Sequence, residues 1–140
     1  MNSLIADTGP IVALLNPSDA HHAWAKECFK ALDPPLLTCD AVLCEAFFLL
    51  RRFTPGKRVL LKMMAGGGFT LQRPAEEPLD RVAKLLQKYE DTPMDFADAC
   101  LVDMVETHRE TKVWTVDSDF RVYRLSNRRM VPVLAPWSQS

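Results

Sequence analysis

Short apolar runs alternating with amphipathic stretches predict an α/β fold, a three-layer α/β/α domain with a central, mainly parallel sheet flanked by helices. Two further observations bound that prediction. The chain has 140 residues and is 48% hydrophobic and 25% charged, the size and balance of one globular domain. No repeat, low-complexity tract or shift in composition divides it, so residues 1–140 are read as a single domain.

The elements follow in order. Ser3–Ala6 is an apolar run stopped by Asp7-Thr-Gly-Pro10, a buried strand and its turn. Ile11–Leu15 restarts an apolar pattern that Asn16-Pro17 breaks. Ser18 or Asp19 can cap a helix through Leu32, with Trp24, Cys28 and Phe29 or Leu32 on one stripe. After the Asp33-Pro-Pro35 loop comes a short strand, Leu36–Thr38. Asp40 can cap a helix to Arg52, and Thr54-Pro-Gly56 separates it from a helix over Lys57–Met64. Gly66–Gly68 is a break before a brief strand at Phe69–Leu71. Helices are then predicted over Ala75–Tyr89 and from Thr92-Pro93 to His108. Strands at Lys112–Val116 and Val131–Leu134 complete the set.

Composition narrows the function. No uncharged apolar run approaches the ~18 residues of a membrane span, and the first seven residues lack the basic start of a signal peptide. The expectation is a cytoplasmic protein without a membrane partner. The four cysteines form no CxxC pair and the three histidines lack partners at ligand spacing, so reduced thiols are expected and zinc is not. Net charge is only −1, but it is laid out in blocks. Residues 46–75 hold Arg51, Arg52, Lys57, Arg58, Lys62 and Arg73 and no acid. Residues 76–119 hold 12 acids against 5 bases, and residues 120–140 hold Arg121, Arg124, Arg128 and Arg129 and no acid. Basic blocks flanking an acidic one fit a polyanion held near carboxylate-bound metal.

The acids that matter stand where apolar residues are expected. Asp7 ends the first strand, where an α/β sheet opens its ligand crevice, although a turn Asp before Gly9-Pro10 reads equally well. Glu45 has Ala41, Val42, Phe48 and Leu49 at helical spacing, which puts it on or near a buried face. A buried carboxylate is paired or holds a metal, and a salt bridge to an arginine is the structural alternative. Asp98 lies among Met94, Leu101 and Val102. Asp95 is one turn earlier, where Thr92-x-x-Asp95 with Pro93 reads as a capping box, whereas Asp98 is placed past the first turn. Asp103 and Glu106 are read as solvent-facing. Asp117 and Asp119 follow the Val113–Val116 strand as Asp7 follows the first, with Thr115 and Ser118 beside them. If these acids converge, they cannot all ionise without a cation, and an all-oxygen cluster selects Mg²⁺ or Mn²⁺. Such ions activate water and stabilise the leaving oxygen of a phosphodiester. No Walker A or GxGxxG pattern and no nucleophile–histidine constellation competes.

Four stretches carry a family resemblance: Ile5–Leu15, Thr38–Glu45, Asp95–Val102 and Trp114–Phe120. In this order, and across nearly the whole chain, they resemble the PIN-domain nucleases, and more narrowly the VapC-type ribonuclease toxins of toxin–antitoxin pairs. The resemblance implies that Asp7 and Asp98 are metal ligands, with Glu45 a ligand directly or through water. Asp117 matches a fourth, more variable acid, and Asp119 is its competitor. Thr8 and Thr115 match supporting hydroxyls, and Asp95 is a further accessory. It also implies Mg²⁺ or Mn²⁺ dependence, cleavage leaving a 5′-phosphate and 3′-hydroxyl, a homodimer, and a small VapB-like antitoxin whose C-terminal segment fills the site.

The reading that results is a metal-dependent endoribonuclease. Asp7, Glu45, Asp98 and Asp117 hold the metal, and Arg51, Arg52, Arg121 and Arg124 hold flanking phosphates of single-stranded RNA. The apolar helices around residues 40–64 are the expected dimer face. Two alternatives stay open: a carboxylate–metal nuclease acting on DNA or structured RNA, and an inactive domain that binds RNA or a partner.

Overall fold

The computed structural model describes residues 4–72 and 78–138. Five strands form one all-parallel sheet in the order β3-β2-β1-β4-β5: β1 Leu4–Ala6, β2 Leu36–Thr38, β3 Phe69–Leu71, β4 Lys112–Trp114 and β5 Val133–Leu134. The central strand β1 pairs Ile5 with Leu37 on one side and with Val113 on the other. The helices are α1 Thr8–Leu15, α2 His22–Lys30, α3 Asp40–Leu49, α4 Thr54–Ala65, α5 Pro78–Lys88 and α6 Phe96–Thr107. The chain steps outward from β1 to β2 to β3, then crosses back to β4. Because parallel crossovers are right-handed, that reversal puts α1–α4 on one face and α5–α6 on the other. Among the described residues no helix is long and apolar enough to cross a membrane.

The predicted strands stand, shortened at β4 and β5, and the sheet is wholly parallel. Several boundaries differ for local reasons. Ile11–Leu15 belongs to an α-helix that starts at Thr8, because Asp7 caps it through a bond from Thr8 N. The second helix starts at His22, since Asp19 is occupied in a turn, accepting from His21 N at 2.8 Å. Cys39, not Asp40, is the N-cap residue of α3, which ends at Leu49. Thr54-Pro-Gly56 is the first turn of α4 and not a separator, as proline is pre-set for a helix start. The predicted start at Ala75, and Arg73, lie outside the described residues.

Two burial expectations are also corrected. On α3 the buried residues are Val42, Leu43 and Ala46, while Phe48 and Leu49 are 59% and 50% exposed, so Glu45 sits at the edge of the buried face. Asp103 is buried, not solvent-facing, and its Oδ1 accepts from Arg81 Nε at 2.7 Å, which joins α6 to α5. Glu106 likewise takes bonds from Ser126 N and Oγ at 3.0 and 2.7 Å. All four cysteines are free; Cys39 and Cys100 are buried and Cys44 is exposed.

The core is centred on β1 and β4, with Ile5, Val113 and Trp114 fully buried. Its packing reaches the first turn of α1, where a Cβ on Gly9 would overlap Val116 Cγ2. In a helix Gly→Ala ordinarily gains stability. Here Gly9→Ala should instead cost about 1–3 kcal/mol in urea unfolding, and Val116→Ala in the same chain should recover part of the loss. Simple addition of the two losses would contradict the overlap.

Candidate active site

The sheet reverses its strand order between β1 and β4, the point at which parallel sheets open a crevice. Asp7 follows β1 directly and is buried. Its N–H donates to Trp114 O at 2.9 Å, which holds it to β4. Oδ1 accepts from Thr8 N at 2.7 Å and Oδ2 from Thr115 Oγ1 at 2.7 Å. That same Thr115 hydroxyl accepts from Asp117 N at 2.9 Å. One buried threonine therefore fixes the acid after β1 and the backbone of the acid after β4. Asp117 Oδ1 accepts from Asp119 N at 2.9 Å and starts a short 3₁₀ turn, Ser118–Arg121.

The third acid arrives on α6. Asp95 is its N-cap and Asp98 its N3 residue, and the two form a capping box: Asp98 N donates to Asp95 Oδ1 at 2.8 Å, and Asp95 N to Asp98 Oδ2 at 3.2 Å. The expected box at Thr92 is thus one turn too early; Thr92 O instead accepts from Met94 N in the preceding turn. Asp98 lies within the first turn, yet it is buried, and its Oδ2 also accepts from Tyr123 OH at 3.1 Å. Glu45, from α3, is half-buried and lines a shallow groove of about 480 Å³ with Asp95, Phe48 and Phe96. Among the described residues no cation is paired with Glu45, so the salt-bridge alternative has no support.

Burial dominates the electrostatics of these acids, and their charges add to it. Burial, with the charges of Asp117 and Glu45 adding, pushes Asp7 up to about 6 against the bonds from Thr115 and Thr8. Burial and the charge of Asp95 push Asp98 up to about 7, with Asp7 and Asp117 contributing. Burial chiefly raises Glu45 and Asp117 as well, and both feel Asp95. The two threonine hydroxyls differ. Thr115 Oγ1 is fully engaged, whereas the buried Thr8 Oγ1 has no hydrogen-bond partner among the described residues.

Among the described residues no three acid, histidine or cysteine side chains stand close enough to grip an ion outright. The donor set nonetheless fits a hard divalent ion: carboxylates from two strand ends and two helices, raised in pKa by burial and by one another, with an unpartnered hydroxyl alongside.

The expected phosphate-binding cations are partly engaged with the chain itself. Arg51 stacks 4.1 Å from the Phe48 ring centroid and donates to Phe48 O at 2.8 Å. Arg52 is exposed at the end of α3. Arg121 lies 4.8 Å from the Trp137 ring centroid. Arg124 Nη1 donates to the carbonyls of Arg121, Val122 and Tyr123. Tyr123 itself went unnoticed in the sequence. The available signal was the three-residue spacing of Phe120, which ends the Trp114–Phe120 stretch, and Tyr123, which stands in the basic block after it.

Fold and crevice together define a parallel α/β domain built around a set of carboxylates. The chain belongs to the PIN-domain family, whose model matches residues 4–125. Ribonuclease VapC26 of Mycobacterium tuberculosis is 25% identical over 116 residues, covering 81% of this chain and 86% of that protein. The crystal structure of VapC20, a sarcin-ricin loop cleaving toxin of the same organism, superposes with a TM-score of 0.74 at 21% identity, covering 86% of this chain and 94% of that one. A toxin–antitoxin complex from Klebsiella pneumoniae gives a TM-score of 0.62 at 21% identity, over 84% of this chain and 90% of that one.

The raised acids set a pH dependence. The folded chain retains protons that the unfolded chain releases, so the stability these acids contribute is full below about 3.8 and is lost as pH rises through about 6 for Asp7 and about 7 for Asp98. In EDTA, Asp98→Asn should therefore melt above the native chain at about pH 8, and the difference should shrink toward about pH 4. Added Mn²⁺ should raise the melting temperature of the native chain and not that of the variant. A difference that does not vary with pH would contradict the assignment.

Proposed function

We propose that the chain is an endoribonuclease that hydrolyses RNA phosphodiester bonds in the cytoplasm with Mg²⁺ or Mn²⁺, as the toxin of a VapBC-type toxin–antitoxin pair. The observation that carries the reading is the placement of Asp7 after β1 and Asp117 after β4, joined through Thr115 where the sheet reverses, with the charge of Glu45 acting on Asp7 and that of Asp7 and Asp117 on Asp98. Family membership, the VapC26 relationship and the likeness to two toxin structures support it.

Asp7, Asp98 and Asp117 hold the cation, and Glu45 completes the set from α3, directly or through water. When bound, a divalent ion of this class supplies a water of lowered pKa and charge stabilisation for the leaving oxygen. The chain's own part is to aim the carboxylates. Thr115 fixes Asp7 Oδ2, the α1 terminus fixes Oδ1, and the capping box and Tyr123 fix Asp98. Asp117 is preferred to Asp119 as the fourth acid because its charge acts on both Asp7 and Asp98, and because its backbone is tied to Asp7 through Thr115. Asp95 and Thr8 support the ligands. Arg51, Arg52 and Arg121 hold flanking phosphates, with Arg124 bracing the segment that carries Tyr123.

Two partners belong to the same reading. Phe48 and Leu49 on α3, with Val59 and Leu61 on α4, are exposed apolar side chains and make the face for a homodimer. An antitoxin segment covers the crevice.

The test is cleavage of a mixed RNA pool with Mn²⁺, Mg²⁺ or EDTA, using the native chain beside Asp98→Asn and matched single-stranded DNA beside the RNA. Cleavage of RNA that needs metal and slows roughly 100-fold or more in the variant is the expected result. Equal cleavage by both proteins would sink the assignment, and preferential cutting of DNA would replace the substrate.

A further inference from the structure

We propose that Tyr123 is a positioning residue for the crevice: its hydroxyl commits one oxygen of Asp98 to the fold and leaves the other for the cation. The proposal rests on the metal reading above and goes beyond it to a residue outside the acid set. Asp98 Oδ2 accepts twice, from Tyr123 OH at 3.1 Å and from Asp95 N at 3.2 Å. Among the described residues no hydrogen bond reaches Oδ1. A carboxylate turns easily about its last torsion, which is broad and roughly two-fold. Two donors on one oxygen remove that freedom.

The tyrosine is itself immobilised. It is fully buried, and its ring meets Tyr89 and Phe120 edge-on, each at 5.2 Å between centroids. Tyr89 OH accepts from Arg124 N at 2.9 Å, and the Arg124 side chain binds three carbonyls of the same short segment. That segment begins at Asp117, whose carboxylate starts the 3₁₀ turn. One stretch of about eight residues (Asp117–Arg124) thus carries one acid of the crevice and orients another. Groups that orient a metal ligand from behind typically govern affinity by about 10–100-fold. The competing account is a core tyrosine whose hydroxyl has merely found the nearest acceptor, as buried tyrosines must.

Tyr123→Phe separates the two, since it keeps the ring and removes only the hydroxyl. Thr111→Val is the control, because it loses a buried hydroxyl that touches neither Asp98 nor the segment that carries Tyr123. Mn²⁺ affinity is measured by calorimetric titration, thermal stability in EDTA, and kcat and KM on RNA at limiting and saturating Mn²⁺. The expected result for Tyr123→Phe is a Mn²⁺ Kd raised about tenfold or more, kcat reduced at limiting metal and largely restored at saturation, and KM for RNA unchanged. Thr111→Val should stay within about twofold of the native Kd. A Tyr123→Phe protein that binds Mn²⁺ as the native chain does, whatever its stability, overturns the proposal, as does an equal loss in Thr111→Val. A native chain that binds Mn²⁺ yet cuts no RNA would sink the proposed activity and leave this role standing. A native chain that binds no Mn²⁺ would sink both.

Discussion

Asp7 is a carboxylate buried at the end of the central strand, and the fold is arranged to keep it there. One oxygen starts α1 by taking the Thr8 amide; the other takes the Thr115 hydroxyl from the far side of the sheet's reversal point. Through that hydroxyl, the position of Asp117 depends on Asp7 too. A helix cap is ordinarily worth about 1 kcal/mol. Here it also anchors a charge that the surrounding core disfavours.

The cost of that arrangement is electrostatic. Burial raises Asp7 and Asp98, and each also feels the charge of other acids. No arginine or lysine relieves the crevice among the described ion pairs; the buried Asp103 has Arg81, but Asp7 and Asp98 have only hydrogen-bond donors. A domain that neutralises one buried acid with a cation of its own, and leaves others to hydrogen bonds, has a site suited to an external divalent ion. This contrast sets Asp103, paired with Arg81, apart from the candidate site acids Asp7 and Asp98, which burial alone does not.

The candidate site acids stood out in the sequence because they interrupt apolar patterns at strand ends and within a helix, as Asp7, Asp117 and Asp98 do. The alternation of elements was legible for the same reason, as the periodicities of strand and helix differ. What escaped was long-range or competitive. Asp103 looked solvent-facing because its partner Arg81 is 22 residues away. Thr92-Pro93 offered a cap signal that a tight turn claimed first, so the Asp95–Asp98 box was missed by one turn. Phe48 and Leu49 were placed on a buried stripe that α3 does not bury. Tyr123 was hidden by the arginines around it, since charge drew attention to the segment as a phosphate-binding tail rather than as a support for Asp98.

The central claim is that these acids form one cation site. The most direct measurement is X-ray diffraction at the manganese absorption edge from crystals grown with Mn²⁺. The account predicts an anomalous peak within ligand distance of Asp7, Asp98 and Asp117. An empty crevice at saturating Mn²⁺, or a peak held by other residues, would contradict it.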